Sequence, residues 1–124
     1  MKAVTVNQLK KELITCSPDE LVELCLRLSK FKKENKELLT YLLFESSDET
    51  DYIESIRNEM DEQFESINTS NFYFIKKSVR KILRLIKKFS RYSLKKETEV
   101  ELLLYFCLKL KEFKPSITKN VTLM

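Results

Sequence analysis

Apolar residues recur along most of the chain at steps of three and four, the spacing of an amphipathic helix. The clearest example is SPDELVELCLRLSKF (17–31). Ser17 is suited to cap the first turn, Pro18 to occupy the first helical position, and Glu20 to complete a capping box. The apolar positions of this segment share one face, which we expect to be buried: Leu21, Leu24, Cys25, Leu28 and Phe31.

Two further helices are predicted around this one. Upstream, TVNQLKKELITC offers Thr5 and Gln8 as a second capping box, followed by Leu9, Leu13 and Ile14. Downstream, a turn near Asn35 is expected to precede a third helix. Its inward positions are predicted to be Leu38, Leu39, Leu42 and Leu43.

Three helices are predicted in the second half of the chain. The fourth runs from about Asp48 to Ile67, and its stripe is Ile53, Ile56, Met60, Phe64 and Ile67. NTSN (68–71) then favours a break, and a fifth helix continues to about Tyr92. Ser93 is predicted to cap the last helix, and Lys114 and Pro115 to stop it. The expected inward face of that helix is Val100, Leu103, Leu104, Cys107, Leu110 and Phe113.

Composition supports the same fold class. The 124 residues contain no glycine, so the tight turns of a sheet protein would lack their usual residue. We therefore predict an all-α protein of about six antiparallel helices, arranged as a compact bundle or a short stack of helical hairpins. One domain is expected over 1–113, with a loose tail over 114–124.

The residues that are missing exclude several chemistries. Without histidine the chain lacks the commonest acid–base group, and without glycine it lacks the phosphate-binding loops. Cys16, Cys25 and Cys107 are too scattered for a zinc site. We predict a non-enzymatic protein with no catalytic residue, metal, cofactor or small-molecule substrate. No apolar run is long enough for a membrane span and no signal peptide is evident, so we expect a cytoplasmic location.

One helix carries an unusual concentration of charge. Residues 76–96 contain ten lysines and arginines and no acidic residue. On a helical wheel the apolar residues Val79, Ile82, Leu83, Leu85, Ile86 and Phe89 share one side. The opposite side is a surface that we call the basic face, formed by Tyr73, Lys76, Lys77, Arg80, Lys81, Arg84, Lys87, Lys88 and Arg91. Five like-charged pairs lie four residues apart there, which together disfavour the helix by about 1–2 kcal/mol at low salt.

An internal counter-charge is available in the preceding helix. Residues 48–67 carry a net charge of −7, next to +10 in 68–96. Flanking acids such as Glu54, Glu59 and Asp61 are the ones expected to reach Lys76 or Lys81. Arg80, Arg84 and Arg91, at the centre of the basic face, are predicted to stay uncovered.

Two functions are consistent with the basic face. The first is an interaction module that docks an acidic protein partner or a second copy of the chain, forming a homo-oligomer. The second is binding of DNA or RNA, in which arginines contact phosphates and Tyr73 stacks on a base. Membrane binding is not predicted, because the apolar side is needed by the core. The chain as a whole resembles uncharacterised small all-helical bacterial proteins, and this resemblance implies no particular function.

Overall fold

The computed structural model describes residues 1–113 and confirms the predicted all-α class, since 81% of the chain is helical and no strand occurs among these residues. Six α-helices follow one another along the chain. They are α1 (Val6–Ile14), α2 (Pro18–Phe31), α3 (Lys33–Thr40), α4 (Glu49–Glu65), α5 (Phe72–Ser93) and α6 (Lys96–Glu112), with a π-helical turn at Tyr41–Glu45.

The chain forms two compact units, one spanning residues 1–40 and one beginning at Tyr41. The prediction of one domain over 1–113 is not tested by this division and stays a prediction. The predicted tail, together with the stop at Lys114 and Pro115, lies outside the described residues.

Capping residues start the helices of the N-terminal unit as predicted. The backbone N–H of Gln8 donates to Thr5 Oγ1 over 3.2 Å. In return, the side-chain oxygen Oε1 of Gln8 accepts from the backbone N–H of Thr5 over 3.0 Å. Ser17 and Glu20 form the same reciprocal pair at 3.2 and 3.1 Å. Each box satisfies two amides that a helix leaves without internal partners, which fixes the start of α1 and of α2.

The end of α2 differs from the prediction. The helix stops at Phe31, and Lys32 is extended, so the break comes three residues before the turn expected near Asn35. Asn35 lies inside α3 and its side-chain amide donates to the Leu28 carbonyl over 2.8 Å. Asn35 therefore ties α3 back to α2.

The N-terminal unit has an apolar surface rather than a core. No residue of Met1–Thr40 is buried, although α2 packs against α3. The predicted inward positions Leu9, Leu13 and Ile14 are exposed, as are Leu24, Leu28 and Phe31. The predicted helices are present, but a unit of this length has little interior, so their apolar faces stay exposed.

The C-terminal unit is a three-helix bundle of α4, α5 and α6 with a continuous core. The predicted stripe of α4 is confirmed, because Ile53, Ile56, Met60, Phe64 and Ile67 are all buried. From α5 they meet Ile75, Val79, Ile82 and Ile86. The Tyr52 hydroxyl donates to the Phe89 carbonyl over 2.7 Å and joins α4 to the C-terminal half of α5.

The π-helical turn reverses the predicted orientation of a leucine pair. Leu42 and Leu43, which the spacing predicts to point inward, are both exposed, and Tyr41 is buried instead. The Ser46 N–H donates to the Tyr41 carbonyl over 2.8 Å, a step of five residues that widens the turn. The wider turn rotates the following side chains away from the face that a regular helix would give them.

The connection between α5 and α6 contains the one positive-φ residue among those described. Leu94 has φ 58° and ψ 14°, a left-handed conformation that in most proteins is taken by glycine. Ser93 does not cap α6 as predicted, since Lys95 occupies the cap position without a side-chain hydrogen bond. The Ser93 hydroxyl instead accepts from the Lys95 N–H over 3.2 Å, within the turn.

The buried face of α6 is also not the predicted one. Leu102 and Phe106 are buried, while Val100, Leu104 and Cys107 are exposed. Leu103, Leu110 and Phe113 pack partly against the core, as predicted. Apolar residues lie on opposite sides of α6, so the spacing alone does not determine which side faces inward.

Candidate functional site

Local sequence fixes the orientation of α5 and therefore of the basic face. The Asn71 side chain accepts a hydrogen bond from the Phe74 N–H over 3.1 Å and starts the helix. The buried residues Ile75, Val79, Ile82 and Ile86 recur every three or four positions and hold one side of α5 against the bundle. The residues between them must point away from the core.

The structure places the predicted site residues along one side of α5. Tyr73, Lys77, Arg80, Lys81, Arg84, Lys87 and Arg91 are exposed, and Lys76 and Lys88 are half-buried at its edges. The Lys88 ammonium lies 5.0 Å from the centre of the Phe89 ring. Arg80, Arg84 and Arg91 are accessible as predicted, and their role in binding stays a prediction.

Two of the three acids of α4 that were expected to offset the basic face, Glu54 and Asp61, are paired elsewhere. Within residues 1–113, no ion pair involves Lys76, Lys77, Arg80, Lys81, Arg84, Lys87 or Arg91. Asp61 instead contacts α6, where its carboxylate lies 3.3 Å from the Lys109 ammonium. Glu54 lies 3.7 Å from Arg57 on its own helix. The prediction that these two acids offset Lys76 or Lys81 is therefore wrong.

The reason is that the polar flank of α4 faces α6. The Tyr105 hydroxyl donates to Asp61 over 2.6 Å, and the Arg57 guanidinium lies over the Tyr105 ring and 3.6 Å from Glu101. The hydrogen bond to Asp61, followed by burial, raises the pKa of Tyr105 to about 12. Asp61 and Arg57 thus join α4 to α6, and neither forms an ion pair with the basic face.

A second polar cluster lies where the N-terminal ends of α4 and α6 meet. Tyr41 donates to Glu49 over 2.7 Å, Thr98 donates to the other oxygen of the same carboxylate, and the Lys95 ammonium lies 3.7 Å away. Burial opposes ionisation of Glu49, but the bonds from Thr98 and Tyr41 and the charge of Lys95 lower its pKa below the usual value. Burial, then the bond to Glu49, raises the pKa of Tyr41 to about 12. The Glu49 carboxylate thus connects the π-helical turn, α4 and the N-terminal end of α6.

The basic face contains one shallow groove. Arg84, Lys87 and Arg91 line it, and Glu99 from α6 forms its fourth side. Three cations in one concave surface raise the local positive potential, because a low-dielectric wall focuses the field. The carboxylate of Glu99 makes the groove mixed in charge rather than purely cationic.

An aromatic cluster at the start of α5 is only partly predicted by the sequence. Sequence reasoning selects Tyr73, but Phe72 and Phe74 are exposed beside it. The rings of Tyr73 and Phe74 meet edge to face with centroids 5.5 Å apart. The sequence signal for this cluster is the run FYF directly after the Asn71 cap. These three residues form the first turn of α5, which comes before the part of the helix that packs on the core.

Two further features limit the chemistry of the described residues. In the range 1–113, no group of three or more histidine, cysteine, aspartate or glutamate side chains is placed to hold a metal ion. Across the same range, no helix combines the length and apolarity that crossing a bilayer requires.

The chain matches no family model, no curated protein and no solved structure. These comparisons therefore assign no function to the chain.

Proposed function

We propose that this protein is a non-enzymatic helical interaction module that docks an acidic protein surface on the basic face of α5. The observation that carries the proposal is the uncompensated charge of that face: seven of its eight cations have no ion pair within residues 1–113. An acidic partner would supply the carboxylates that α4 directs to α6.

The energetics favour a partner. Like charges at Arg80 and Arg84, and at Lys87 and Arg91, lie four residues apart and repel each other along the helix. Carboxylates on a partner would convert this repulsion into charge-assisted hydrogen bonds, for which the planar arginine fork is well suited. Binding would then relieve a destabilising feature of the free protein.

Two observations favour a protein over a nucleic acid. Glu99 lines the groove with Arg84, Lys87 and Arg91, and its carboxylate would repel a phosphate while a mixed protein surface can accommodate it. The chain also exposes many large apolar side chains, among them Val22, Leu28 and Phe31. Extended apolar surface is typical of protein-binding proteins, whereas nucleic-acid interfaces are more polar.

Nucleic-acid binding is a second candidate because of one specific feature. Phe72, Tyr73 and Phe74 are exposed at the head of the basic face, and aromatic rings beside a cationic surface stack on unpaired bases. The same trio suits a protein interface, where aromatic residues and arginine are enriched. An acidic protein and a nucleic acid would bind the same surface, so variants of this protein alone do not distinguish them. Both kinds of ligand must be tested.

The test uses one variant and a control of equal charge change. The α5 variant has glutamine in place of Arg80, Arg84, Lys87 and Arg91. The control has glutamine in place of four lysines that are exposed in the N-terminal unit, Lys2, Lys11, Lys30 and Lys36. Each protein is used to isolate partners, which are then purified and titrated against it. We expect an acidic partner that binds native and control protein, with affinity falling as salt rises, and that loses at least tenfold in affinity for the α5 variant.

Nucleic acid is tested directly with native protein. A mobility shift with duplex DNA and with single-stranded RNA is titrated with salt. Binding through four to six of the cations gives a log–log slope of about −4 to −5 on duplex DNA. No shift at low salt eliminates nucleic acid as the ligand. A steep salt-dependent shift that the α5 variant loses favours the second candidate, and an α5 variant that keeps every partner contradicts both.

A further inference from the structure

Helix α6 presents a second surface, separate from the basic face, that has no partner among the described residues. Val100, Leu104 and Leu108 are 54%, 65% and 48% exposed and follow one another at four-residue steps. They lie on the side of α6 opposite to Leu102 and Phe106, which fill the core of the bundle. A helix with apolar residues on two opposite sides is normally covered on both of them.

Charged residues close this stripe at both ends. Glu97 lies seven residues before Leu104 and Lys111 lies seven residues after it, so all three share one face of the helix. Both charged residues are exposed. The surface therefore reads Glu97, Val100, Leu104, Leu108, Lys111, with steps of three, four, four and three residues.

This spacing is symmetric about Leu104, and the symmetry indicates the occupant. If two copies of α6 pair antiparallel around a two-fold axis at Leu104, Leu104 meets its own copy and Val100 meets Leu108 of the second copy. Glu97 then lies opposite Lys111 at both ends. A two-fold interface requires such a self-complementary patch, in which residue i contacts j and j contacts i.

We infer that α6 is a homodimerisation surface, on which a second copy of this chain packs antiparallel through Val100, Leu104 and Leu108. Parallel pairing is disfavoured because it would set Glu97 against Glu97 and Lys111 against Lys111. One pair of helices is at the small end of specific interfaces, so the dissociation constant is expected to be on the order of 10 µM. This inference does not depend on the proposed function of α5.

The register is tested by cysteine crosslinking. Cys16, Cys25 and Cys107 are free and are first replaced by serine. Leu104→Cys should then form a disulfide-linked dimer on mild oxidation, because its two copies face each other across the axis. Val100→Cys or Leu108→Cys alone should not, since their copies lie about 12 Å apart along the helices. A mixture of those two variants should crosslink to each other.

Sedimentation tests the contacts between the two copies. Native protein should pass from monomer to dimer between about 1 and 500 µM. Leu104→Glu should weaken the dimer at least tenfold, because it sets two carboxylates together at the axis. The matched control is Leu43→Glu, since Leu43 is 66% exposed in the same unit, and it should leave the dimer unchanged.

Charge reversal distinguishes antiparallel pairing from a general apolar association. Glu97→Lys and Lys111→Glu should each weaken the dimer by about threefold to tenfold, and the double variant should restore it. Circular dichroism confirms that each variant stays folded. The inference is overturned if native protein remains a monomer at about 500 µM, if Leu104→Glu has no effect, or if Val100→Cys and Leu108→Cys each crosslink to themselves.

Discussion

Leu94 shows how a chain without glycine makes a sharp turn. It holds the left-handed conformation between α5 and α6, and its side chain is 84% exposed, so no packing compensates for the backbone conformation. This conformation disfavours a residue with a Cβ atom by about 1–2 kcal/mol. No sequence signal marks this position, because leucine is an uncommon residue for such a turn.

We predict that Leu94→Gly stabilises the protein. Removing the Cβ atom relieves the clash, and the added freedom of the unfolded chain offsets part of the gain, which leaves about 0.5–1 kcal/mol. Urea denaturation measures this difference. Leu94→Ala is the control, because it shortens the same exposed side chain while keeping the Cβ atom. A Leu94→Gly protein no more stable than Leu94→Ala would show that the turn is unstrained.

At the scale of elements, hydrophobic spacing predicts α4 and α5 well and α6 poorly. α4 and α5 each have one apolar and one polar side, so their buried faces follow from the sequence. α6 has apolar residues on two opposite sides, and only its packing against α4 and α5 distinguishes Leu102 and Phe106 from Val100 and Leu104. The orientation at Tyr41 was also unpredictable, since a π-helical turn changes the rotation per residue without a distinctive sequence.

The partners of the candidate site required the structure as well. The sequence placed the cations on one side of α5 correctly. It did not reveal that Asp61 would pair with Lys109 on α6, because the distribution of charge along a chain does not say which flank of a helix faces which neighbour. Asp61 is therefore not available to the cations of the basic face.

Glu49 joins the π-helical turn, α4 and α6 through its carboxylate, so the stability of the fold should depend on pH. Its pKa is lowered from 4.5 by its partners, so its stabilising effect is present above pH 4.5 and is lost as the pH falls through the lower folded value. We expect Glu49→Gln to lower the free energy of unfolding by about 1–2 kcal/mol at neutral pH. This difference should shrink below pH 4.5.

Thermal or urea denaturation from about pH 3 to pH 7 measures the effect of Glu49. The matched control is Glu62→Gln, on the exposed outer side of α4. Its unfolding curve should follow that of the native protein throughout. If the stability difference between native protein and the Glu49→Gln variant stays constant across the pH range, the carboxylate charge is not what joins these elements.

At the scale of the whole molecule, the acidic and basic segments pair at Lys95 and Glu49, but seven of the eight cations of the basic face form no ion pair within residues 1–113. The net charge of +4 is small, but it hides −7 over 48–67 and +10 over 68–96. In the C-terminal unit the acidic helix uses Asp61 and Glu49 for internal contacts, while the basic face has none of these partners. Like-charge repulsion that is retained at a cost in stability is expected where a surface serves binding.

The most direct test that like-charge repulsion on the basic face is uncompensated is the stability of the variant with Arg80, Arg84, Lys87 and Arg91 all replaced by glutamine. If the basic face has no structural role, removing four of its five like-charged pairs should raise the free energy of unfolding by about 1–2 kcal/mol at low salt. The gain should diminish at high salt, because screening already weakens the repulsion. We predict a melting temperature several degrees above native at low salt, with no such gain in the Lys2, Lys11, Lys30 and Lys36 control. A variant that melts below native at both low and high salt would contradict this prediction, since the basic face would then be holding the fold together.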